Sequence, residues 1–179
     1  MYRLVYMLSL LVLSHNVAAV PDATDRQLQR ELSKIFRKQS VELVEMPAPA
    51  KYSLMGKYYR IEKQSSIVPV KYVYVGRVNT YRSSNIKNGA GESAEYFDYF
   101  ILFDEYKAIS QVKILDYQAT HGEMISSPRW LKSFVGHKST KPLEVGRQVD
   151  GISGATISVN KITFDIRQKT LILSEIVKQ

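Results

Sequence analysis

The 179-residue chain contains no cysteine. That excludes disulfides, iron–sulfur clusters, thiolate zinc sites and haem held by thioether bonds. Histidine is scarce too: beyond His15 only His121 and His137 occur, thin material for a metal site. Blocks of like charge are missing. Lys34, Arg37 and Lys38 sit together and Lys132, Lys138 and Lys141 are dispersed, so no run of five or six equal charges marks a nucleic-acid tail. There is no P-loop and no repeat of fixed period. Gly89-Ala90-Gly91 lacks the third glycine and the Lys-Ser/Thr pair of a phosphate loop and reads as a turn. No nucleic-acid partner is expected. The formal charge of +8 still makes a basic surface, suited to plain solubility or to docking on acidic partners and anionic surfaces.

Long apolar runs are confined to the N-terminus. Arg3 precedes Leu4 to Leu13, a run interrupted only by Ser9, and Val17-Ala18-Ala19 offers small residues to a signal peptidase. The run is about half of the roughly 20 residues that a spanning helix needs. Residues 1–19 therefore read as a cleaved secretory signal, and an exported, periplasmic location is expected; an uncleaved anchor and a buried N-terminal helix are the other readings. No Cys follows the cleavage site to carry a lipid. Removing residues 1–19 leaves 160, enough for one domain with one sizeable core. Arg3 is the only charge lost, so seven surplus positive charges remain.

The rest of the chain divides into residues 20–50, a helix and linker, and residues 51–179, the main domain. Over residues 24–38 Leu28, Leu32, Ile35 and Phe36 fall on one helical face, and Thr24 with Gln27 forms a capping box. Pro47-Ala48-Pro49-Ala50 reads as an extended linker. Val70, Tyr72 and Tyr74 alternate as in a strand, and Tyr96 to Asp104 and Ile109 to Tyr117 are two more strand candidates joined by a turn at residues 105–108. Residues 83–93, rich in Ser, Asn and Gly, form a surface loop. Pro128 opens a short helix bearing Trp130, Leu131 and Phe134, and residues 157–177 place Ile162, Ile166, Leu173 and Val177 at helical spacing. Thr163 and Thr170 weaken that last helix. The expected class is α+β: an antiparallel sheet with helices packed on one side. The twelve tyrosines suit half-buried strand faces, and an aromatic-lined cleft would employ one or two of them.

The stretch with chemical content is Asp150-Gly151-Ile152-Ser153-Gly154-Ala155-Thr156-Ile157-Ser158. Small residues let backbone approach a bulky ligand closely. They lead into the C-terminal helix, whose free N–H groups and positive dipole end would face a phosphate on Thr156. An ordinary helix cap by Ser and Thr explains the same residues.

Asp-Gly-Ile-Ser-Gly-Ala-Thr resembles the flavinylation motif of the FMN-binding domain family. Known members include the C subunit of the sodium-pumping NADH:quinone reductase and the G subunit of the Rnf electron-transfer complex. The resemblance implies an FMN-binding-domain-like fold with FMN joined through its phosphate to Thr156, and Asp150, Gly151, Ser153, Gly154 and Ala155 as the rest of the motif. It also implies a separate Mg-dependent flavin transferase as partner, using FAD as donor outside the cytoplasm. The family's Glu-Thr-Pro-Gly-like turn beside the flavin is represented here by Ala119-Thr120-His121-Gly122; Thr120 and Gly122 match, Ala119 and His121 do not. Met124 follows that turn, and Trp130 falls where the family has an aromatic-bearing helix. His121 lines the flavin or is a polar loop residue. The resemblance covers residues 70–177 and is strongest in the C-terminal third.

The implied function is that of an exported electron carrier passing electrons between a membrane oxidoreductase and a cytochrome-type partner, with no catalytic residue and no resident metal. Two rivals stand beside it. One is a flavin-dependent reductase with its own acceptor. The other is a non-redox exported binding module, in which residues 153–156 merely cap a helix.

Overall fold

The computed structural model describes residues 22–37, 41–52, 54–63, 68–80 and 95–178. The signal reading of residues 1–19, the loop at residues 83–93 and the Gly89-Ala90-Gly91 turn lie outside them. Five strands, β1 (Glu42–Met46), β2 (Gly56–Lys63), β3 (Tyr72–Asn79), β4 (Tyr96–Phe103) and β5 (Ile109–Gln118), form one antiparallel sheet in sequence order. Three helices accompany it: α1 (Asp22–Ile35), α2 (Pro128–Leu131) and α3 (Thr156–Ile176).

The strands form where β-branched and aromatic residues concentrate, and alternation assigns their faces. Tyr58, Tyr74, Phe97, Tyr99, Ile101 and Phe103 point to the side packed by α3 and α2. Ile61, Val73, Val75, Phe100 and Leu102 point to the other side, where Leu28 and Leu32 of α1 and Phe36 just beyond its end cover them. Because β4 is covered on both faces, every residue from Phe97 to Phe103 is buried, the pattern of a strand inside a layered core. The β4–β5 turn is closed by Asp104, whose carboxylate accepts the Ala108 N–H at 2.8 Å and whose N–H donates to the Ala108 carbonyl at 2.9 Å.

The α+β class and the antiparallel sheet stand as expected, and within residues 51–179 the helices do share one side. The exception is α1, which adds a layer on the opposite face. Burial of Leu28 and Leu32 on it, and of Phe36 just after it at the same four-residue spacing, contributes on the order of 2 kcal/mol per side chain. The capping box is corrected. The helix already begins at Asp22, and the buried Thr24 hydroxyl donates 2.6 Å to the Asp98 carboxylate on β4 instead of to its own first turn. A buried carboxylate is a stronger acceptor than anything the helix end offers. The short helix also divides, ending at Leu131 and continuing as a 3-10 turn over Lys132–Phe134. β1 pairs with β2 across the Pro-Ala stretch, so strands on either side of position 50 belong to one sheet.

In α3 Ile162, Ile166 and Leu173 are buried as their spacing requires. Thr170 is tolerated because its hydroxyl returns to the Ile166 carbonyl at 2.8 Å, four residues back.

Candidate functional site

Three segments converge at one end of the sheet: the end of β3, the start of β4 with the segment after β5, and the first turn of α3. Between them lies a cleft of about 400 Å³, lined by Thr80, Glu95, Thr120, His121 and residues 154–158. That is within the ~300–1,000 Å³ range of small-molecule sites.

The motif loop is positioned from both sides. Val149 and Ala155 are buried and Ile152 is half-buried, so apolar anchors flank its exposed polar residues. Trp130 donates its indole N–H to the Asp150 carbonyl at 2.8 Å and packs edge-on against the buried Phe134, centroids 5.2 Å apart. Gly154 has φ 77°, a conformation that side-chain-bearing residues resist. It turns the chain so that Thr156 begins α3.

The residue preceding α3 is Ala155, and no side chain among the described residues caps the helix. This bears on the alternative of an ordinary Ser/Thr cap: neither Ser153 nor Thr156 makes that bond. The first amides of a 21-residue helix and its positive dipole end therefore face the cleft. Thr156, the first helical residue, is exposed there.

Opposite stands the turn after β5. Gly122 has φ 97°, and a Cβ built on it would meet Ser158 Oγ at 2.7 Å and the Tyr117 hydroxyl at 3.0 Å. The Tyr117 phenol donates to the His121 carbonyl at 2.5 Å and lies 3.2 Å from Ser158 Oγ. Burial raises the phenol above its ordinary range, partly offset by the Ser158 hydrogen bond, so it stays protonated. Its ring stacks on Phe97, 6.0 Å between centroids and 8° from parallel. Thr120 donates both its N–H, at 3.0 Å, and its hydroxyl to Glu95 Oε1. Thr80 is buried, and its hydroxyl oxygen has no hydrogen-bond partner among the described residues.

Of the residues singled out from sequence, Thr120, His121, Gly154, Ala155 and Thr156 line the cleft. Gly122 stands just behind it against Ser158. Asp150, Gly151 and Ser153 are exposed on the approach loop, with Asp150 tied to Trp130 through its backbone. Trp130 acts at that distance, and Met124 lies exposed on the 3-10 turn Glu123–Ser126, outside the lining. Sequence reasoning did not single out Thr80, Glu95, Tyr117 and Ser158 as site residues. Thr80 and Glu95 flank the segment between β3 and β4 and reach the site only because those strands pair, Thr80 N–H to Glu95 carbonyl at 2.9 Å. Ser158 was within reach, two residues beyond Thr156 in the first turn of the helix.

The features suit an anionic group attached to something larger. Uncapped amides and an exposed hydroxyl lie at one end of the cleft, and a carboxylate-braced turn lines the rest. The segment from residue 96 to residue 167, spanning β4, β5, α2 and the first half of α3, matches the family model of the FMN-binding domain. No curated protein matches the chain.

Proposed function

We propose, from the FMN-binding domain that this chain carries over residues 96–167, that the protein is an exported electron-transfer flavoprotein with FMN esterified to Thr156. The observation that carries this reading is the placement of Thr156. It is exposed, opens an uncapped 21-residue helix and faces a cleft large enough for a cofactor.

The chain's own groups account for the parts of that role. The first amides of α3 hold a phosphate by hydrogen bonds and dipole. The Thr156 hydroxyl supplies the oxygen of the ester. A separate Mg-dependent transferase would join Thr156 Oγ to the FMN-side phosphorus of FAD, the pyrophosphate P–O bond breaking, AMP leaving and the hydroxyl proton being released. Thr120 offers an exposed hydroxyl along the cleft, and the Tyr117–Ser158 contact keeps the turn after β5 against α3. FMN, once bound, supplies one- and two-electron chemistry, while the protein sets its environment and exposure. Covalent attachment prevents loss of the cofactor outside the cell. The partners on this reading are a membrane oxidoreductase and a cytochrome-type acceptor, and the location is periplasmic, after removal of residues 1–19.

The test is the intact mass of the mature chain co-produced with a periplasmic flavin transferase, beside Thr156→Ala. A yellow protein heavier by one FMN less one water, with the increment absent from the variant, is expected. An unmodified, colourless product would overturn the covalent assignment and favour a non-redox binding module.

A further inference from the structure

We propose that the outer face of α3 is the docking surface for an acidic electron-transfer protein. Ile157, Phe164 and Leu171 are 39%, 57% and 43% exposed, although they belong to the helix that supplies much of the core. They stand seven residues apart. Each step of seven returns to within about 20° of the same direction, so the three form one stripe roughly 21 Å long, at ~1.5 Å per residue. Isolated exposed apolar residues are ordinary, but three aligned on one helix offer a partner a continuous line of apolar contacts.

The stripe is continuous with the cofactor cleft. Ile157 is both its first member and part of the cleft wall beside Thr156. A protein seated on α3 therefore covers the ground next to the flavin. The inference thus rests on the flavoprotein reading and specifies the partner of that same site.

The charges beside the stripe select the occupant. Lys161, Arg167 and Lys178 are exposed, and Arg167 lies over the Phe164 ring at 5.5 Å. Among the described residues none of the three makes an ion pair. Glu175 on this face is held by Lys51 at 2.7 Å and by the Tyr52 hydroxyl at 2.8 Å, and Asp165 is turned inward to Tyr99 and Lys169. The field is positive, so the complementary surface is an apolar patch rimmed by carboxylates. A second copy would bring like charges together. An anionic membrane shares the sign, but three side chains in a single line make a narrower face than interfacial helices present.

The experiment uses the full mature chain loaded with FMN, its mass checked first, and photoreduced to completion without excess reductant. It is mixed with one cytochrome c in two forms: native, rich in lysine, and succinylated, with those lysines turned into carboxylates. Each ferric haem takes one electron from the reduced flavin and becomes ferrous. At low ionic strength the succinylated form should be reduced at least about tenfold faster, an advantage that fades as salt screens the charges. Lys161→Glu with Arg167→Glu should abolish the preference, while Arg26→Glu with Arg30→Glu, on α1 across the sheet, should leave it. Equal rates, or a preference insensitive to the α3 pair, would overturn the docking surface with FMN still in place. A chain that takes no FMN would fail at the mass measurement, which removes the underlying function itself. Sedimentation with phosphatidylglycerol vesicles that is lost in Phe164→Ser would reassign the face to membranes and likewise overturn the proposal.

Discussion

The hydroxyls of Tyr117 and Ser158 lie 3.2 Å apart and join the end of β5 to the first turn of α3. Gly122 fits beneath them because it has no Cβ. The pair sets how far the turn at residues 119–122 stands from Thr156, and so the width of the cleft.

Gly122→Ala is expected to lose that fit on two counts. Its φ of 97° is unfavourable for alanine by about 1 kcal/mol, and the new methyl collides with Ser158 Oγ. A loss of about 2–3 kcal/mol by urea titration is expected, with a lower yield of FMN-bearing protein. An unchanged midpoint together with full loading would show that the turn moves freely against α3.

Trp130→Phe tests whether the indole acts through the approach loop. The substitution keeps an aromatic ring against Phe134 but deletes the N–H that holds the Asp150 carbonyl at 2.8 Å. It should cost about 1 kcal/mol and slow transferase-dependent loading several-fold, while the absorption spectrum of the loaded protein stays as in wild type. A spectral shift would place the indole on the flavin itself.

The docking of α1 depends on Asp98. This carboxylate is 2% exposed and accepts from Arg77 at 2.7 and 3.0 Å and from Thr24 at 2.6 Å. Thr24→Ala should cost about 1.5–3 kcal/mol, the scale of a hydrogen bond to a charged group. Asp98→Ala should cost about 3–5 kcal/mol, because it strands the Arg77 charge beside the core. Amide exchange in α1 should accelerate in both variants, whereas exchange in α3 follows only the global loss.

Stability should depend on pH through His137. Burial first, and Lys141 second, hold its imidazole below the ordinary range, and its Nε2 has no partner among the described residues. The unfolded chain takes up a proton as pH falls through about 6.5, while the folded chain resists until lower pH. In that window the unfolded state binds more protons, so stability falls with falling pH and is steady above it. Thermal midpoints from about pH 8 to pH 5 should show a decline below about pH 6.5 that His137→Asn flattens. An equal slope in the variant would assign the decline to other groups.

Much of the local structure was legible from the chain. Three of the five strands, the helix at Pro128 and the helix after the motif follow from alternation, proline placement and apolar spacing, since these are short-range properties of neighbouring side chains. β1 and β2 were not. Glu42–Met46 and Gly56–Lys63 carry charge at exposed positions and flank a Pro-Ala stretch that reads as linker. Pairing with β3 through β2 is what makes them strands, and pairing is a long-range event.

The site divides in the same way. The glycine, the alanine and the threonine at residues 154–156 are contiguous, so their chemistry stood in the sequence before any fold was known. What only the tertiary structure decided is what faces them. Thr80 follows β3 and Glu95 precedes β4, Tyr117 lies at the end of β5, and they meet Ser158 because antiparallel pairing and the packing of α3 bring those ends together. It also decided that α1 covers the opposite face, since Leu28, Leu32 and Phe36 are equally satisfied by either side until β3 and β4 present an apolar surface there. A linear chain states which residues prefer burial and which backbone can turn; the partner across a cleft or a core exists only after strands separated by many residues have paired.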